Sequence, residues 1–180
     1  GCAVAYTDKG AGTDYFDLDA GVGVRLDGTT GAASAGDDLK KIELELGGKN
    51  PQIITAKADL SAAVDAAVFG GYFNTGQCCN AGSRLLVHRS IVQDLSAAVA
   101  ERTRFVPVGD PLLSRTQVGS LVNAQQLAVV ERYVDEGVRS GATLVMGGAS
   151  FDGPSGLFYQ PTLFTDVTPD MRIAKEEIFG

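Results

Sequence analysis

"PQIITAKADLSAAVDAAVFGGYFNTGQCCNAGSRLLVH", residues 51–88, runs from one short apolar stretch to another through a segment of different period. "PQIITA" reads as a strand. Asp59 then stands where a helix N-cap belongs. In "LSAAVDAAVFGGYF" the residues Leu60, Val64, Ala67, Val68 and Tyr72 recur at helical spacing, and Gly76 is expected to end that helix just before two adjacent cysteines. "SRLLVH" follows as a buried strand. Upstream, "KKIELEL" (40–46) alternates polar and apolar side chains and stops at Gly47-Gly48, a strand closed by a turn. Downstream, Ser90 with Gln93 makes a capping-box pattern opening a helix over "IVQDLSAAVAERTRF", and "VGDPLLSRTQVGS" reads as a loop. Asn123 with Gln126 repeats the cap pattern for "AQQLAVVERYVDEGVRSG", and "ATLVMGG" and "YQPTLFTDV" are further strands. Strands alternating with helices of this length indicate an α/β fold with a largely parallel sheet. Residues 1–40, rich in Gly, Ala, Asp and Thr, show no sustained period, although "GVGVRL" is β-prone.

Composition narrows the function classes. The 180 residues are 44% hydrophobic and 21% charged, ordinary for a globular domain with a core. The net charge of −7 disfavours a nucleic-acid backbone or an anionic membrane as partner, leaving a small molecule or another copy of the chain. No apolar run approaches the roughly 18–20 residues that span a bilayer, and no basic, then apolar, leader opens the chain. The expectation is a soluble, cytoplasmic protein.

Three cysteines do not make a disulfide framework, and a bond between the neighbours Cys78 and Cys79 would close a strained eight-membered ring. Reduced thiols fit better. A cysteine on a turn framed by Gly76, Ala81 and Gly82 can be approached by a substrate and by backbone donors. It can equally be a buried structural thiol. Glu45 ends a strand and is followed by two glycines, so its carboxylate can face a cleft and act as a general base; the alternative is a solvated strand end. His88 reads as a surface or interface residue, and the adjacent cysteines lack metal-ligand spacing, so no metal site is expected.

"LELGGKNP" (44–51) followed by "FNTGQCCNAGSR" (73–84) closely resembles the paired active-site signatures of the NAD(P)-dependent aldehyde dehydrogenase superfamily. "GDPL", "TQVGSLVNAQQLAVVERYVDEGVRSGATLVMGG", "FYQPTLFTDV" and "KEEIFG" occur in the family's order, so the resemblance covers about residues 38–180. It implies the three-layer, largely parallel sheet of that family's catalytic domain, incomplete at both ends, with 45–180 as partial catalytic domain and 1–44 as a shortened remnant of the cofactor-binding domain.

The resemblance also implies roles. Cys79, two places after the glutamine of the Gly-Gln-X-Cys pattern, falls on the nucleophile, and Cys78 on the variable position lining the pocket. Glu45 falls on the general base, Glu177 and Phe179 on residues facing the nicotinamide ribose, Gln126 on a glutamine reaching the adenine-side ribose, and Leu46 on a backbone carbonyl near the nicotinamide. An aldehyde, a small-molecule substrate, would be oxidised to a carboxylic acid with NAD or NADP, through a thiohemiacetal and a thioester on Cys79 that Glu45-activated water hydrolyses. The parent enzyme is expected to be a homo-oligomer. The sequence departs from the family in having only 44 residues before Glu45. The oxyanion-hole asparagine and the ribose-gripping lysine have no match, and Gly28 and Gly31 in "LDGTTGAASAG" lie too close to Glu45 to be assigned as cofactor ligands. Two other readings stand beside this one: a non-catalytic remnant acting as a binding or structural module, and a thiol redox protein using Cys78 and Cys79, disfavoured by the vicinal geometry.

Overall fold

The computed structural model describes residues 2–6, 13–17, 22–26, 41–45, 47–151 and 157–180, with side-chain packing from Gly47 onward. The chain forms two compact units, Gly1–Gly47 and Gly48–Gly180. In the first, β1 (Cys2–Tyr6), β2 (Thr13–Asp17), β3 (Val22–Leu26) and β4 (Lys41–Glu45) make one sheet in the order β3-β2-β1-β4. β4, the strand expected in "KKIELEL", runs parallel to β1 with Tyr6 opposite Glu45, while β1–β2 and β2–β3 are antiparallel.

The second unit opens with β5 (Pro51–Ile54), α1 (Leu60–Tyr72) and β6 (Arg84–Val87). β5 and β6 pair in parallel from Pro51↔Arg84 to Ile54↔Val87, the arrangement a helical crossover imposes. α2 (Val92–Arg104) and α3 (Ala124–Arg139) follow, then β7 (Thr143–Met146), β8 (Ser150–Phe151), β9 (Phe158–Tyr159), β10 (Leu163–Thr165) and the short α4 (Arg172–Lys175). β7 pairs antiparallel with β10, and β8 with β9. The α/β class and its parallel pairs are therefore present.

The periodicity of α1 explains its packing. Val64, Ala67 and Val68 face Ile54 of β5 and Leu95 and Val99 of α2 in one apolar cluster. Leu60, at the exposed first position, does not join it. A second cluster gathers Leu121, Val130, Val134 and Tyr159, and a third Tyr133, Ala142 and Ile173, so α3 has core on two sides.

The caps depart in part from the sequence reading. Asp59 accepts a hydrogen bond from the Ala62 amide at 2.8 Å, as expected. Ser90 does not cap α2: its hydroxyl lies 2.8 Å from His88 Nδ1, and Ile91 takes the cap position with no side-chain bond. The imidazole two residues away competes for the hydroxyl, a local alternative that a capping pattern does not reveal. α1 ends at Tyr72, four residues before Gly76, because Phe73 leaves helical geometry (φ −54°, ψ 136°). Asn123 caps α3, accepting from the Gln126 amide at 2.8 Å, but the Gln126 side chain does not close the box.

Urea denaturation separates these features. Leu95→Ala, at a position 1% exposed, is expected to cost about 2–5 kcal/mol. Asp59→Ala should cost ~1 kcal/mol. Ser90→Ala should change stability by less than about 0.5 kcal/mol, the range of an ordinary surface substitution.

Candidate active site around the cysteine pair

The cysteines sit in the loop joining α1 to β6, and a strained turn delivers them. Within the 3-10 turn Phe73–Gly76, Asn74 (φ 51°, ψ 37°) and Thr75 (φ 62°, ψ 27°) are left-handed, followed by Gly76 at φ 71°. Left-handed backbone costs roughly 1–3 kcal/mol per non-glycine residue and persists only where surroundings impose it. Asn74 Nδ2 donates to the Gln77 carbonyl at 2.9 Å, and the Gln77 amide returns to the Asn74 carbonyl at 3.1 Å. Gln77 Oε1 accepts the Val122 amide at 2.9 Å, tying the turn to the segment before α3. Glycine is required at 76 for φ and for space: a Cβ there would lie 3.0 Å from the Gly180 carbonyl carbon.

Both thiols are unbridged. Cys78 is half-buried and borders a cavity of about 950 Å³ that also touches Lys49, Tyr72, Arg84, Glu177 and Phe179, whereas Cys79 is exposed. The loop carbonyls are held by side-chain amides from the edge of β5. Asn50 Nδ2 donates to the carbonyls of Cys79 (2.7 Å) and Ala81 (3.3 Å), and Gln52 Nε2 donates to that of Gly82 (2.8 Å). Among the described residues the Cys79 amide N–H has no hydrogen-bond partner.

Gly48 and the segment around Glu177 meet beside the cysteine loop. The Gly48 amide donates to Glu177 Oε1 at 3.0 Å, and a Cβ on Gly48 would stand 3.1 Å from Asn50 Oδ1 and 3.4 Å from the Cys79 carbonyl oxygen. α3 grips the segment on both sides of Glu177. Tyr133 donates its hydroxyl to Glu176 at 2.6 Å, and Arg172 pairs with Glu176 through two bonds of 2.9 and 2.7 Å. Gln126 Nε2 donates to the carbonyls of Ile178 (2.7 Å) and Phe179 (2.9 Å), and Phe179 is left-handed at φ 61°.

The structure thus brings Cys79, Glu177, Phe179 and Gln126 into one unit. Glu45 closes β4 in the other unit, and Leu46 lies outside the described residues, as do Gly28 and Gly31. Sequence reasoning gave no part to Asn50, Gln52 or Lys49. Asn50 and Lys49 stand inside the quoted "LELGGKNP", but an Asn before a proline looks the same whether it faces solvent or a loop.

Lys49 is the electrostatic oddity. Burial lowers its pKa from 10.5 to about 8, with the Arg84 charge acting in the same direction and Glu177 opposing. In the unfolded chain Lys49 stays protonated up to about pH 10.5, so between pH 8 and 10.5 the unfolded state binds more protons and stability rises with pH. Burial raises Tyr72 from 10.0 to about 12, and that contribution is present below pH 10 and lost as pH rises through 12. The denaturation midpoint should therefore climb from pH 8 to about pH 10 and fall beyond it. In Lys49→Met the climbing limb should flatten.

Comparison with known proteins agrees with this geometry. The family model described as "Aldehyde dehydrogenase family" matches residues 26–180. A betaine aldehyde dehydrogenase of Brucella anthropi is 45% identical over 153 residues, covering 82% of this chain and 31% of its own. That of Brucella ovis is 42% identical over 183 residues, covering 97% and 37%. Among solved structures, an NAD-dependent aldehyde dehydrogenase from Sinorhizobium meliloti superposes with a TM-score of 0.81 at 47% identity, covering 85% of this chain and 30% of that one. The betaine aldehyde dehydrogenase of Staphylococcus aureus in complex with NAD+ gives 0.80 at 39%, covering 85% and 31%. The chain spans about a third of the length of these relatives. With matched motifs running through the β5–α1–β6 unit, the cysteine loop and the segment ending at Gly180, this chain belongs to the aldehyde dehydrogenase family.

Proposed function

We propose that the chain carries the nucleophile and base of an enzyme that oxidises an aldehyde to a carboxylic acid with NAD+ as electron acceptor. The observation that carries the reading is the exposed Cys79, its carbonyl held by Asn50 and its amide N–H without a partner among the described residues, in the loop that borders the cavity of Glu177 and Phe179. A thiol next to an unengaged backbone donor is the arrangement acyl chemistry needs.

The Cys79 thiolate adds to the aldehyde carbon. A C–S bond forms, and the carbonyl oxygen becomes an oxyanion that the Cys79 N–H can stabilise. NAD+, when bound, supplies the acceptor for the hydride that leaves this carbon. Glu177, whose Oε1 accepts the Gly48 amide, and Phe179 stand at the cavity wall, where the resemblance puts the nicotinamide end of the cofactor. Gln126 does not fit as a ribose donor, because its Nε2 already serves the carbonyls of Ile178 and Phe179. Glu45, in the general-base role that the family resemblance implies, takes a proton from water. The resulting hydroxide attacks the thioester carbon, the C–S bond breaks, and the acid leaves with the thiolate restored. The reading keeps a reducing cytosol as compartment, which suits unbridged thiols, and a homo-oligomer as the parent assembly.

Hydrolysis of p-nitrophenyl acetate by the 180-residue chain, without cofactor, tests the assignment. Cys79→Ala should abolish turnover, and Cys78→Ala should stay within a few-fold of wild type. Glu45→Gln should keep the acylation burst while the steady-state rate falls on the order of 10²-fold, the scale of a lost general base. Equal turnover in wild type and Cys79→Ala would sink the nucleophile assignment and favour a non-catalytic module. Betaine aldehyde, named in three of the relatives, is the first aldehyde to assay in the parent enzyme.

A further inference from the structure

The amide end of Asn50 faces two carbonyl oxygens, those of Cys79 at 2.7 Å and Ala81 at 3.3 Å. Only the NH2 group can face two acceptors, so the orientation of this side chain follows from chemistry. The Asn50 backbone carbonyl also accepts the Arg84 amide at 3.3 Å, where β6 begins. One residue therefore grips the cysteine loop at 79, 81 and 84. Two positions on, Gln52 points from the same side of the strand and holds the Gly82 carbonyl at 2.8 Å, while the Gly82 amide is fixed to the Gly70 carbonyl of α1 at 2.8 Å. The Ala81 amide closes onto the Cys78 carbonyl at 3.1 Å. Each carbonyl at 78, 79, 81 and 82 thus has a donor, and the one on Cys79 itself is supplied by Asn50 alone among the described residues.

We propose that Asn50 is a positioning residue for Cys79. Its bond to the Cys79 carbonyl sets ψ of that residue, and with it the direction in which the thiol leaves the chain and in which the neighbouring amide N–H points. The inference rests on Cys79 being the nucleophile, but the alkylation readout below does not. Displacement of a reacting group by about 1 Å can cost on the order of 10²-fold, which makes one hydrogen bond at this carbonyl consequential.

The test is carbamidomethylation by iodoacetamide under limiting reagent, with Cys78 and Cys79 separated by peptide mass spectrometry in the full chain, alongside p-nitrophenyl acetate kinetics. In wild type the exposed Cys79 should be modified several-fold faster than the half-buried Cys78. In Asn50→Ala the ratio should fall toward one, and kcat for the ester should drop roughly 10- to 100-fold with KM within about threefold. Asn50→Asp, the same shape with no donor, should match or exceed the defect. Asn50→Ser, which restores one donor, should recover part of it, and it supplies the comparison if the alanine variant melts below the assay temperature. Wild-type selectivity and kcat in Asn50→Ala or Asn50→Asp would overturn the proposal. So would an equal defect in Asn50→Ser and Asn50→Ala. Altered selectivity in these variants together with an ester rate indifferent to Cys79→Ala would keep the loop-positioning role and discard the nucleophile assignment instead.

Discussion

The loop that carries Cys79 leaves helix and sheet geometry, and so leaves backbone carbonyls without the partners that regular structure provides. A buried or half-buried carbonyl without a donor costs about as much as a lost hydrogen bond, and the chain meets this with side-chain amides placed on ordered elements. Asn50 and Gln52, at the edge of β5, serve the carbonyls of Cys79, Ala81 and Gly82. Gln126, in the first turn of α3, serves those of Ile178 and Phe179. Asn74 does the same within the left-handed turn for Gln77. Glutamine and asparagine suit this task because one NH2 group can satisfy two acceptors and the side chain carries no charge to desolvate.

The same device holds the strain. Asn74, Thr75 and Phe179 are non-glycine residues in the left-handed region, and each lies in or beside a segment fixed by these amides. The first two precede the cysteines, the third follows Glu177. Strained backbone thus flanks both the cysteine loop and the Glu177 segment, and such strain persists only where packing elsewhere in the fold offsets its cost. The parallel β5–β6 pair and the apolar cluster beneath α1 provide that packing. The bond from Gly48 to Glu177 then joins the two ends of the second unit, 129 positions apart in sequence.

The half-buried cation fits this arrangement. Lys49 lies beside Arg84 and Glu177 at the cavity, and burial outweighs the attraction of the carboxylate in setting its proton affinity. Its neighbours Gly48 and Asn50 make the two contacts that tie the turn to Glu177 and to Cys79. Three consecutive residues of one motif thus border Glu177, Arg84 and Cys79.

Helical spacing was sufficient for the core face of α1, since the side chains that define that period are the ones that become core: Val64, Ala67 and Val68 are buried as their spacing requires, whereas β6, expected as a buried strand, is only half-buried, with Leu86 47% exposed. The caps at Asp59 and Asn123 were equally legible, because a cap is a contact three residues long. Ser90 was not, since its partner His88 lies outside the pattern that identifies a cap. The family motifs single out Cys79, Glu177 and Phe179, which the fold places in one compact unit, but the sequence alone could not distinguish a glutamine that meets a ligand from one that holds a loop. Gln126 and Asn50 acquired their roles only when α3 and the start of β5 were packed against segments 52 and 29 positions away, and hydrogen bonds across that separation leave no periodic trace in the chain.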